Sequence, residues 1–214
     1  MGLPVLVLGE SGSGKSASLR NFKPDEVGII NVNGKPLPFR NSLKSFTCDN
    51  YEKIKKILKG SKANAVVIDD SQYLMANEFM RNAKINGYQK FTDIGYNFWE
   101  LIKSVEDLPP DKIVYFLHHV ETNDTGRQKI KTIGKMLDEK ITLEGMFTIV
   151  LKTTVHDGQY HFCTQNSGMD TVKTPMEMFA EAEIDNDLKL VDTTIREYYN
   201  MNEKKGKENN DSTV

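Results

Sequence analysis

Residues Gly9-Glu10-Ser11-Gly12-Ser13-Gly14-Lys15-Ser16 match the pattern G-x-x-x-x-G-K-[ST] without departure. This octet constrains the chain more than any other feature, because the pattern works only where a strand enters the loop and a helix leaves it. Glycines let successive backbone N–H groups turn inward on phosphate oxygens, and a helix N-terminus adds positive potential. Residues 3–8 read as a buried strand, and a short helix is expected after Ser16. Lys15 is then expected to reach the β and γ oxygens of a bound nucleotide, and Ser16 to ligate Mg²⁺. All eight residues are candidate nucleotide-binding positions.

A second signal is Ala65-Val66-Val67-Ile68-Asp69-Asp70, an apolar run ending in two acids, as expected of a central strand buried on both faces. Paired with the phosphate loop, Asp69 is expected to hold Mg²⁺ through water and Asp70 to orient an attacking water.

Between and beyond these motifs, short apolar runs alternate with amphipathic stretches. That pattern argues for an α/β fold with a mostly parallel central sheet flanked by helices. Further strands are expected at 27–32, 45–48, 113–117, 146–152 and 160–164. Helices are expected at 51–59, 93–106, 133–140 and 186–199. In the 51–59 segment Ile54, Ile57 and Leu58 share one face and four lysines the other, which reads as a solvated face. One domain is expected over 1–199, and 200–214, which offers no apolar face, reads as a disordered tail.

With 38% hydrophobic and 27% charged residues, the 214-residue chain has the composition of a globular domain. Twenty-eight Lys and Arg stand against thirty Asp and Glu, a formal charge of −2. A globally basic nucleic-acid coat is thereby excluded, and only a local basic patch is left for such work. No apolar run approaches the roughly 20 residues that span a bilayer, and the start of the chain lacks the basic region of a signal peptide. No membrane partner is expected. Cys48 and Cys163 form neither a disulfide framework nor a zinc pattern, which suits two thiols in a reducing cytoplasm.

On the octet, the Val-Val-Ile-Asp-Asp run, Lys-Thr-Ile-Gly-Lys-Met-Leu-Asp-Glu-Lys and Val172-Lys173-Thr174-Pro175-Met176-Glu177-Met178-Phe179, residues 1–199 resemble a RecA-type P-loop ATPase core. The resemblance is closer still to short phage nucleotide-binding ATPases of the AAA family, some of which act as RecA-like single-strand annealing recombinases. It implies ATP and Mg²⁺ as ligands, a phosphate-sensing role for His118 or His119 after the 113–117 strand, and the host cytoplasm as location. It also implies single-stranded DNA contact by the basic segment holding Arg127, Lys129, Lys131 and Lys135, with 77–90 (Arg81, Lys84, Tyr88, Lys90) as a second DNA loop. A homo-oligomer and a single-strand binding protein are the further partners implied, with Lys173 as a cation reaching the neighbouring subunit's site.

Two departures qualify the resemblance. Where RecA-like enzymes carry a catalytic glutamate after the second strand, this chain has Ile30-Asn31-Val32-Asn33-Gly34, which leaves Asp70 as the available carboxylate. The chain also opens directly on its first strand, so self-association is expected either to use a surface other than the N-terminal segment of full-length RecA proteins or to be weak. The expected function is a MgATP-binding ATPase of phage DNA recombination or annealing. A nucleotide-gated loader with little turnover is the alternative that the missing glutamate favours. A small-molecule kinase shares the phosphate loop, but the five arginines form no lid-like cluster.

Overall fold

The computed structural model describes residues 1–134 and 136–201, the side chains of residues 138 and 139 apart. Lys135 and the expected tail beyond residue 201 lie outside the described residues. Eight strands form one sheet in the order β3-β2-β4-β5-β1-β7-β8-β9, and β6 pairs with β5 off this path. β1 (Leu3–Gly9) lies between β5 (Ile113–Thr122) and β7 (Ile149–His156), parallel to both. β4 (Ala65–Asp69) pairs parallel with β5 and with β2 (Val27–Asn31), and β3 (Ser45–Thr47) closes that side. On the other side β8 (Gln159–Cys163) and β9 (Glu183–Asp185) run antiparallel. The chain is therefore α/β with a mostly parallel central sheet flanked by helices.

Side-chain alternation along the strands builds two cores, one on each face. Leu6, Leu8, Ile30, Val66, Ile68, Val114 and Phe116 pack against α1 (Tyr51–Gly60), α2 (Gln72–Arg81) and α3 (Gln89–Lys103). Val5, Val7, Ile29, Val67, Tyr115 and Leu117 meet Leu19, Phe22 and α4 (Leu188–Tyr198) on the opposite face. Burial on both faces explains why β1 and β4 read as unbroken apolar runs.

The short helix expected after the phosphate loop is a 3₁₀ helix, Ser16–Asn21. Other expected elements need correction. Residues 77–81 end α2 and 89–90 begin α3, so only 82–88 of that segment is irregular. Arg81 is paired with Asp49 at 2.5 Å and Lys90 Nζ donates to the Ile85 carbonyl at 2.9 Å, so only Lys84 and Tyr88 of that candidate DNA loop stand in irregular backbone without such a contact. The basic segment is not an open loop either: β6 (Gln128–Ile130) folds back antiparallel on β5. The helix expected at 133–140 is a single π-helical turn, Met136–Lys140.

Candidate functional site

The ends of β1, β2, β4 and β5 converge on one cleft of about 530 Å³. Its walls include Gly12, Gly14, Lys15 and Ser16 from the loop after β1, Lys35 from the turn after β2, Asp69 and Asp70 from the end of β4, and His119 from β5. Parallel strands all end at the same side of the sheet, so the topology gathers these loops where a ligand of an open α/β sheet binds.

The phosphate loop is firmly held. Gly12 and Gly14 take φ of 78° and 96°, in the left-handed region where a side chain is disfavoured. Ser13 Oγ donates to the Glu10 carbonyl at 2.8 Å and shares a 2.5 Å hydrogen bond with Thr153 Oγ1 on β7. Lys15 is buried, its Nζ donating to the Gly9 and Glu10 carbonyls at 2.9 and 2.7 Å. Burial lowers its pKa from 10.5 to about 8, against the pull of Asp70, Asp69 and Glu10. A charge that costs this much to bury belongs where a stronger anion compensates it.

Ser16 Oγ donates to Asp69 Oδ1 at 2.9 Å, joining residues 53 positions apart. Burial raises the Asp69 pKa, partly offset by that hydroxyl. Asp70 has φ 60°, a left-handed turn forced where β4 passes into α2 within two residues. Three groups face its carboxylate: His119 Nε2 at 3.6 Å, Asn33 Nδ2 donating at 2.9 Å and Lys35 Nζ at 3.6 Å. Together they hold its pKa down to about 2, so Asp70 is an acceptor and a poor proton store. Tyr73 stacks edge-on to His119 with centroids 5.8 Å apart.

The two histidines separate. His118 is fully buried, with Nδ1 2.8 Å from Ser71 Oγ and Nε2 2.8 Å from the Lys131 carbonyl. Burial drives its pKa to about 3, so the ring is neutral: Nε2–H donates to the carbonyl and Nδ1 accepts from the serine. Both nitrogens are spent on the protein, and His119 is the one that lines the cleft. Adjacent strand residues point to opposite faces, so only one of the pair was able to do so.

The three cations of the basic segment also part company. Lys131 lines the cleft, Lys129 pairs with Glu121 across the hairpin at 3.2 Å, and Arg127 is exposed at the turn. Gln128 Nε2 donates to Glu10 Oε1 at 3.2 Å, which ties the hairpin to the phosphate loop. Lys173 is exposed beside β7, its backbone bridged to Val150 by bonds of 2.8 and 3.0 Å.

Sequence reasoning missed Lys35, Tyr160 and Thr153. Lys35 follows Gly34 and precedes Pro36, a turn signal directly after a strand that marked the position without revealing its neighbour. Tyr160 lies so close to Gly14 that a Cβ added there would sit 2.7 Å from its ring, a contact from β8 to the loop after β1 with no local signature. No family model matches this chain, and no curated protein does.

Proposed function

We propose that the chain is a P-loop ATPase, binding a nucleoside triphosphate with Mg²⁺ in this cleft and hydrolysing it to a diphosphate and inorganic phosphate. The observation that carries the reading is the 2.9 Å bond between Ser16 and Asp69, which joins the two motifs beside a buried lysine. In it the backbone N–H groups of Gly12 to Ser16 cradle the phosphates, and Lys15 turns its ammonium from two loop carbonyls to the β and γ oxygens. Ser16 and Asp69 offer one hydroxyl and one carboxylate, which fits Mg²⁺, an ion that keeps several waters and takes its other ligands from phosphate. When bound, Mg²⁺ neutralises charge on the phosphate oxygens. Asp70 accepts a hydrogen bond from water, and His119 donates toward the terminal phosphate. ATP is the nucleotide of this reading, because no Asn/Thr-Lys-x-Asp guanine motif occurs in the sequence.

The reading extends to single-stranded DNA in a phage recombination or annealing role. What supports that extension is the hairpin: Arg127 is exposed at its turn while Gln128 and Lys131 connect it to the nucleotide cleft. Calorimetric titration of MgATP into the wild type and Lys15→Ala tests the core of the proposal. The variant is expected to bind about 30-fold more weakly or worse, the cost of losing charged hydrogen bonds to phosphate. Equal affinities refute the assignment. Turnover measured with and without single-stranded DNA then separates an ATPase from a gated loader.

A further inference from the structure

Lys35 enters the cleft from the β2 side, across β5 and β4 from the phosphate loop. Its backbone is fixed, for Gly34 takes φ 66° and Asn31 Nδ2 donates to the Lys35 carbonyl at 2.6 Å. Its side chain is loosely held: 66% exposed, with Nζ 3.6 Å from Asp70 Oδ2 and 5.3 Å from the centre of the Tyr73 ring. One long ion pair and one water-facing cation–π contact are each worth little, so the ammonium is free to move to a denser charge. Lys15 stands on the opposite wall, beside Gly9 and Glu10. A phosphoryl group lying between Ser16 and Asp70 therefore has a lysine on either side of it.

We propose that Lys35 supplies, from the same subunit, the cation that faces the transferred phosphoryl group, so that one chain holds a complete hydrolytic site. This inference rests on the nucleotide reading above. In the reaction the oxygen of a water molecule forms the new bond to the γ phosphorus, and the β–γ bridging oxygen departs with the electron pair as part of ADP. The proton released by the water passes to a phosphoryl oxygen, since both Asp70 oxygens already face Asn33, His119 and Lys35. Charge then spreads over the equatorial oxygens, where an ammonium from the open wall counts most. Lys173 lies on the far side of β1, against β7, and has no part in this arrangement.

The test compares wild type, Lys35→Ala, Lys35→Arg and Lys173→Ala for MgATP affinity, for affinity toward MgADP with fluoroaluminate, and for turnover across a dilution series whose oligomeric state is followed by sedimentation. Wild-type turnover per chain is expected to stay constant down to the monomer. Lys35→Ala is expected to keep MgATP affinity within about threefold while losing turnover and fluoroaluminate affinity by about 100-fold, the size of one lost transition-state donor. Lys35→Arg recovers part of both, and Lys173→Ala matches the wild type. Full turnover in Lys35→Ala, or wild-type turnover that vanishes on dilution to monomer, overturns the inference alone. A loss that disappears when Lys35→Ala is made in an Asp70→Asn background shows that Lys35 only steadies Asp70, and overturns it too. A wild type that binds no MgATP overturns the nucleotide reading itself, and the role of Lys35 with it.

Discussion

Replacing Lys15 by Met keeps the unbranched stem and removes the buried ammonium, which should make the protein more tolerant of neutral pH while disabling the site. Unfolded, Lys15 holds its proton up to its ordinary pKa of 10.5; folded, it releases it near 8. Below pH 8 both states carry the charge and the folded state bears its full burial cost, about 3 kcal/mol for a shift of this size. Between pH 8 and 10.5 the folded chain sheds the proton first, so the cost fades as pH rises, and above 10.5 it is gone. Other lysines, tyrosines and thiols titrate in the same window, but they do so in both proteins. The stability difference between wild type and Lys15→Met thus isolates the one group. Urea unfolding of the pair at half-unit steps from pH 7 to 10.5 measures it. The advantage of the variant, whatever its value at pH 7, should shrink by about 3 kcal/mol across the series. A difference that stays flat within about 1 kcal/mol over that range would refute the claim that Lys15 is held charged against its burial.

Three more outcomes follow from the same contacts. Gly14→Ala should cost about 2 kcal/mol or more in urea unfolding, because the new methyl meets the Tyr160 ring at 2.7 Å on a backbone with φ 96°. Adding Tyr160→Ala should return the steric part, and a double variant no better than the single one would remove that contact as the cause. Asp69→Asn should keep the fold and raise the Mg²⁺ concentration needed for half-maximal ATP binding about tenfold or more, with an unchanged Mg²⁺ midpoint counting against the metal role. Arg127→Ala should lower the salt dependence of single-strand binding by about 0.7 in the log–log slope, the share of one phosphate contact. An unaltered slope would show that the turn touches no DNA.

The sequence displayed the parts of the fold that are governed by burial and hid those governed by pairing. β4 was read to the residue because an apolar run buried on both faces ends where its acids begin. β5 was cut short at Leu117, since the apolar run ends there: His118 and His119 stay in the strand through pairing with Leu8 and Gly9 of β1, and Val120 to Thr122 through pairing with β6. The same hairpin hid one neighbour of the basic cluster: no acid lies among Arg127, Lys129 and Lys131 in sequence, yet Glu121 lies directly across the ladder from Lys129. α2 escaped notice because its buried residues Gln72, Leu74 and Met75 crowd its first turn, which leaves the rest without an apolar stripe. At the site, the loop residues and Asp69 were legible as contiguous motifs. Asn33, which donates to Asp70 across 37 positions, registered only as a missing glutamate, since no local pattern reports a contact between two strand ends.

The link from Ser13 to Thr153 gives the phosphate loop an unusual starting point for binding. Glycine and serine segments ordinarily roam, and ordering each backbone residue costs about 1–2 kcal/mol. Here folding has already met that expense through the Ser13 hydroxyl on β7, the Lys15 bonds to Gly9 and Glu10, and the Gln128 amide on Glu10. In the nucleotide reading proposed above, an incoming triphosphate would meet a preorganised cradle and need only draw one lysine away from two carbonyls. Association should accordingly proceed as a single fast phase, with little heat-capacity change from loop ordering.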